Sequence, residues 1–286
     1  MCELFGMSAR HAATVSLSLE EFSRHGGLTG PHKDGWGIAW YDEGDIRLIK
    51  EVHPAATSAC VRFLQTNPLS SALVISHVRR ATLGPVASRN CQPFVRELGG
   101  VWHCFARNGD LPAIASDARF RADSFRPVGD TDSEQAFCAL MDALRPLWAP
   151  GPAPSLAART EVVSRFGAAL RELGPANFLY CDGDALFAHA DRRHQSDGSP
   201  DGAPPAATRT GHLSKRTRSL ATTRTRARHS PFTSVNLFKS PITHLSPPTT
   251  CTRAISLQAI PVTWNSRLCL LPGFNPVNED GEDTVS

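Results

Sequence analysis

The sequence predicts an α+β fold. Short apolar runs bounded by Gly, Asp or Pro read as strands, and longer amphipathic stretches read as helices. The two do not alternate in the regular way that builds a parallel sheet. Strands are expected at 36–41, 46–52, 72–78, 101–106, 177–181 and 185–188. A helix is expected over 131–144, where Thr131 and Glu134 form a capping box, each able to satisfy a backbone N–H at the helix start. Ala136, Phe137, Leu140, Met141 and Leu144 then share one face. A second helix is expected over 160–173, with Val163, Phe166, Leu170 and Leu173 inward and Gly174-Pro175 as the stop. Shorter helical patterns cover 19–25 and 56–64.

The 286-residue chain carries a formal charge of +3 that conceals a split. Residues 1–201 hold 20 Lys+Arg against 23 Asp+Glu, whereas residues 202–278 hold 10 Lys+Arg and no acid. A folded domain mixes both signs, so the chain divides into a domain at 2–194 and a basic tail at 195–286. Between 196 and 250, Ser, Thr and Pro supply 25 of 55 residues, and most of that stretch has no strand or helix periodicity. Within the tail only 259–264 and 268–274 are apolar enough to form strands. The tail is either a shifted reading frame or a disordered extension.

Several classes are excluded by pattern. No run approaches the roughly 20 apolar residues of a membrane span, and MCELFGMSAR lacks the layout of a signal peptide. The eight cysteines show no zinc spacing, and their scatter suits reduced thiols in a cytoplasmic protein. No metal and no cofactor is expected.

One residue could carry chemistry by position alone. Removal of Met1 would leave Cys2 with a free α-amine, which is basic enough to take the proton of its own thiol. Other candidates cluster at strand ends and helix starts, where rigid elements present loops. They are the glycine-punctuated turn G-P-H-K-D-G-W-G-I at 30–38, S-H-V-R-R-A-T at 76–82, N-x-x-P-F at 90–94, F-A-R-N-G at 105–109 and G-D-T-D-S-E at 129–134. Singly, each has a plain structural explanation. Asn108-Gly109 suits a tight turn, Arg79 and Arg80 a solvated strand end, Asp132 a helix dipole, and His77 and His103 an ordinary sheet.

Together, with M-C-E-L-F-G-M-S-A at the start, the six ordered segments resemble the class II glutamine amidotransferases, N-terminal-nucleophile hydrolases, in their stand-alone bacterial form. The resemblance covers about residues 2–194. It implies a four-layer α/β/β/α sandwich of two antiparallel sheets, incomplete at the C-terminus, with the N-terminal strand at the end of the sheets and Cys2 facing the cleft. It implies that Cys2 attacks the glutamine amide, forms a γ-glutamyl thioester and releases ammonia. Asn108 and Gly109 would form the oxyanion hole, one such donor being worth roughly a hundred- to thousandfold in rate. Arg79 would hold the α-carboxylate through a bidentate fork, Asp132 the α-ammonium, and Thr82 would be a further contact.

Partners implied are glutamine or another γ-glutamyl small molecule and an ammonia-accepting synthase; neither membrane nor nucleic acid is expected. Arg107 and Gln92 stand where relatives usually have His, and Leu83 replaces a residue that is polar in fused relatives. Three alternatives stay open: an amidohydrolase of another γ-glutamyl compound, an inactive homologue, and a nucleic-acid-binding protein acting through its basic tail.

Overall fold

The computed structural model describes residues 2–148, 152–191, 193–194, 200–201, 207–211, 232–237 and 268–270. In chain order the strands are β1 (Glu3–Thr14), β2 (Trp36–Asp42), β3 (Asp45–Glu51), β4 (Ser70–Val78), β5 (Phe94–Leu98), β6 (Val101–Asn108), β7 (Asn177–Cys181) and β8 (Leu186–His189). They are followed by β9 (Arg193–His194), β10 (Pro200–Asp201), β11 (Ala207–Gly211), β12 (Phe232–Leu237) and β13 (Leu268–Leu270). The helices are α1 (Ser16–His25), α2 (Ala59–Thr66), α3 (Asp132–Leu144) and α4 (Leu156–Leu173).

Two sheets face each other. One runs β11-β12-β1-β4-β2-β3 and the other β13-β8-β7-β6-β5, while β9 and β10 form a separate pair. Pairing is antiparallel except between β13 and β8, which run parallel. Three apolar layers hold the stack. Phe5, Phe22, Trp36 and Val74 fill the space between the first sheet and α1 and α2. Leu4, Ile75, Ala106 and Leu179 fill the space between the sheets. Phe105, Phe137, Leu140 and Phe178 fill the space between the second sheet and α3 and α4. That is an α/β/β/α sandwich of four layers.

The period of two along a strand decides what faces the centre. In β1, Leu4 belongs to the inter-sheet layer and Phe5 to the helix side, so Cys2 continues the inter-sheet face. In β6, Cys104 and Ala106 point the same way, and Asn108 follows them in the alternation. The nucleophile candidate and Asn108 are therefore delivered to one end of the same layer by two different sheets.

All six expected strands form, within two residues at most ends. β1 lies between β12 and β4 in the interior of its sheet, so it is the Cys2 tip, not the strand itself, that lies at the end of the sheets. The patch at 259–264 lies outside the described residues. Tail segments β11 and β12 extend the β1 edge through main-chain pairing, which their Ser- and Thr-rich text did not foretell. The expected helix at 160–173 begins earlier, at Leu156, capped by Ser155 Oγ accepting from Ala158 N–H. Half of the expected capping box forms: Thr131 Oγ1 accepts from Glu134 N–H. The other half does not, because Glu134 Oε2 reaches back to Gly129 N–H at 2.7 Å and Oε1 pairs with Arg96 at 2.5 Å.

Candidate active site

The chain start and the segments at 76–82, 90–94, 105–109 and 129–134 meet around one cleft, lined by Cys2, Arg79, Arg80, Thr82, Leu83, Gln92, Arg107, Asn108, Gly109, Asp110, Thr131, Asp132 and Ser133.

The turn at 30–38 lines no part of the cleft but supports the end of β4 that does. Gly35 adopts φ +123°, and a Cβ there would lie 2.5 Å from Cys91 Sγ, so the tight packing admits only glycine. Arg79 N–H donates to Gly35 O at 2.8 Å, and Ala81 N–H donates to Asp34 Oδ2 at 2.8 Å. These bonds fix the end of β4 beside the chain start. The Cys2 thiol donates to Arg80 O at 3.4 Å, and Arg80 N–H points at Cys2 Sγ from 3.3 Å. Burial pushes the thiol above its ordinary pKa, while the Arg80 N–H and the Arg79 charge pull the other way. The thiol is therefore a neutral group at neutral pH and needs a base to react.

Asn108 Nδ2 donates to the Cys2 carbonyl at 3.1 Å, so its amide sits against the nucleophile. Gly109 follows at φ +108°, with Pro175 O only 2.2 Å from where a Cβ would stand. The residue pair ends β6 and turns away from the sheet; it does not close a two-residue hairpin.

Arg79 is buried. Its guanidinium donates to Leu83 O at 3.0 Å, Pro85 O at 3.2 Å and Gly84 O at 3.3 Å. Three of its five donors are thus engaged by the 83–85 loop, so the full bidentate fork is not free in this structure. Thr82 Oγ1 donates to Asp110 Oδ1 at 2.8 Å. Asp132, in the first turn of α3, accepts from Leu111 N–H at 2.7 Å and from Arg107 Nη1 at 3.2 Å, both on Oδ2. Its Oδ1 accepts, among the described residues, from Ser133 Oγ alone, at 3.4 Å.

Some residues of the site were given no role in the sequence. Arg107, noted there only as standing where relatives usually have His, has a side chain fully buried under Asp132, and it also donates to Ser133 Oγ at 3.1 Å and Pro175 O at 3.3 Å. Gln92 Oε1 accepts from Arg107 N–H at 2.6 Å. Asn90, of the N-x-x-P-F segment, ties Pro85 O to the Asp130 backbone and carboxylate. Asp110 reads as a turn residue after Asn-Gly, yet it lines the cleft. Among the described residues no cluster of His, Cys, Asp and Glu could hold a metal, and no helix is long and apolar enough to cross a membrane.

A nucleophile candidate, a side-chain amide against it and opposite charges beyond it thus meet in one cleft. The profile of the family described as glutamine amidotransferases class-II matches residues 1–243. The chain belongs to the class II glutamine amidotransferases. It is 39% identical over 189 residues to the Escherichia coli (strain K12) protein named "Putative glutamine amidotransferase YafJ", covering 66% of this chain and 72% of that one. A glutamine amidotransferase homologue of Haemophilus influenzae is 33% identical over 190 residues, covering 66% and 63%. Among solved structures, a "predicted glutamine amidotransferase" from Pseudomonas aeruginosa PA01 superposes with TM-score 0.50 at 29% identity, over 86% of this chain and 92% of that one. An "allosteric regulatory enzyme of purine biosynthesis" shares the fold, at TM-score 0.50 and 15% identity over 82% and 42% of the two chains. The match of the amidotransferase family profile runs past residue 194 into the basic tail.

Proposed function

We propose that this amidotransferase releases ammonia from glutamine through a γ-glutamyl thioester on Cys2. The observation that carries the reading is Asn108 Nδ2 at 3.1 Å from the Cys2 carbonyl, beside a thiol held between the N–H and C=O of Arg80.

With Met1 removed, the Cys2 α-amine accepts the thiol proton, which a desolvated thiol does not release unaided. The thiolate adds to the side-chain amide carbon, and the resulting oxyanion is held by Asn108 Nδ2–H and Gly109 N–H. The α-ammonium returns the proton to the leaving nitrogen, ammonia departs, and the acyl group stays on sulfur as a thioester. Water then adds with the same amine as base, releasing glutamate and restoring the thiol. The remaining donors of Arg79 face the substrate α-carboxylate, Asp132 Oδ1 takes the α-ammonium, and Thr82 is a further contact.

Arg79 and Asp132 would recognise only the glutamyl head group, so other γ-glutamyl amides form a second substrate class. The ammonia would pass to a synthase partner in the cytoplasm, a compartment that suits the six free cysteines among the described residues. The catalytic unit is read as residues 2–194, with 195–286 as a basic tail whose segments at 207–211, 232–237 and 268–270 pair into the two sheets.

The test is ammonia release from glutamine by the purified full chain. Wild type is expected to turn over and Cys2→Ala to fall to background. A Cys2→Ala variant that releases ammonia at the wild-type rate overturns the reading.

A further inference from the structure

A carboxylate offers about four acceptor sites, and Arg79 comes to one with three of its donors already given to the 83–85 loop. That leaves room for a further donor, and one stands in the cleft. Gln92 is 4% exposed and lines the cleft. β5 pairs Phe94 with Phe105 of β6, and two places further along that register Gln92 stands opposite Arg107. There its side chain closes the ladder: Oε1 accepts from Arg107 N–H at 2.6 Å. A backbone N–H can only donate, so the amide cannot be turned round, and the end left over is the donor Nε2. Nε2 makes no hydrogen bond among the described residues, yet it is not one of their sealed, partnerless polar atoms, so it opens on the cleft.

Two contacts bring this donor towards Arg79. Asn90 Nδ2, two residues earlier, and Arg79 Nη1 donate to the same carbonyl, Pro85 O, at 3.0 Å and 3.2 Å. The Gln92 carbonyl packs so closely on Gly37 that a Cβ there would lie 2.3 Å from its oxygen, and Gly37 pairs with His77, two residues before Arg79. Gln92 therefore reaches from the first sheet, whose β4 leads into Arg79, to the second, whose β6 ends in Asn108. A glutamine molecule with its amide at Asn108 and its carboxylate at Arg79 lies along that span.

We propose that Gln92 is a specificity-determining residue whose Nε2–H donates to the substrate α-carboxylate beside Arg79. The inference rests on the glutaminase reading of the site and adds a second donor to its carboxylate end.

The test compares wild type and Gln92→Glu on glutamine and on 4-aminobutanamide, which is glutamine without its α-carboxylate. Glu keeps an oxygen acceptor for Arg107 N–H and replaces the donor by a second acceptor. Loss of a hydrogen bond to a charged group predicts that KM for glutamine rises roughly 10- to 100-fold, with kcat little changed. On 4-aminobutanamide, read as a substrate or as a competitive inhibitor of glutamine, the penalty should be about twofold or less. An unchanged KM for glutamine overturns the proposal. So does an equal penalty on both compounds, the mark of a structural role, or a fall in kcat alone, the mark of a donor to the amide oxygen. Should Gln92→Glu fail to fold by circular dichroism, Gln92→Met, which removes the donor without adding charge, is read in the same way. A wild-type chain that releases no ammonia from glutamine overturns the underlying glutaminase reading instead. Calorimetric binding of glutamine to wild type and Gln92→Glu then decides, equal affinities refuting the role of Gln92.

Discussion

Replacing Arg107 by Met removes the buried cation paired with Asp132 while keeping a side chain of similar length. The structure sets the size of the effect. Three contacts disappear: Asp132 Oδ2 at 3.2 Å, Ser133 Oγ at 3.1 Å and Pro175 O at 3.3 Å. Asp132 keeps its bond from Leu111 N–H but loses its counter-charge, and its side chain is only 10% exposed. Breaking a buried ion pair from one side costs about 3–5 kcal/mol. The residual exposure of Asp132 lets water share the charge, which places the expected loss near about 3 kcal/mol. In a domain of this size that lowers Tm by roughly 6–12 °C. The assay is urea denaturation followed by circular dichroism at neutral pH, with the m-value checked for constancy. Adding Asp132→Asn to Arg107→Met should recover part of the loss, because no stranded charge then remains. A single-variant loss below about 1 kcal/mol would refute the idea that Arg107 neutralises Asp132.

Two further outcomes follow from the same geometry. Asn108→Ala should lower kcat for ammonia release about 100- to 1000-fold, with a smaller change in KM, because the lost donor serves the oxyanion rather than the bound substrate; a drop under tenfold would contradict that role. His77→Leu should raise Tm, and raise it more at pH 5 than at pH 7. Both ring nitrogens of His77 are buried without a partner, and burial pulls its pKa from 6.5 down to about 3. Between those values the unfolded chain binds the extra proton, so wild type loses stability as pH falls, by at most about 1.4 kcal/mol per pH unit from this group. A Tm difference that does not vary with pH would count against it.

The legible part of the fold was the part with a single buried face or a clear boundary. The runs at 36–41 and 72–78 and the capped helix at Thr131 carried period and punctuation together. β1 carried no such signal of its own. Glu3 to Ala9 are all buried, because the strand is covered on both faces, and burial on both faces erases the alternation that reveals a strand. β5 is short and holds Arg96 and Glu97 in five residues, which reads as a loop. In the site, Cys2, Arg79, Thr82, Asn108, Gly109 and Asp132 were found through ordered motifs and do line one cleft. Arg107 was noted within its motif but given no role, and Asp110 was not singled out, since nothing local distinguishes a buried arginine from an exposed one, or a cleft aspartate from a turn aspartate. Their placement depends on contacts with residues 25 and 28 positions away in the chain.

The central claim is that Cys2, freed at the mature N-terminus, is the nucleophile for a glutamine side chain. Intact-mass analysis of the purified protein after incubation with an electrophilic glutamine analogue tests it most directly. The account predicts a chain lacking Met1 that carries one adduct, mapped to Cys2 and prevented by excess glutamine. A chain that retains Met1, or an adduct that forms as readily on the Cys2→Ala variant, would contradict it.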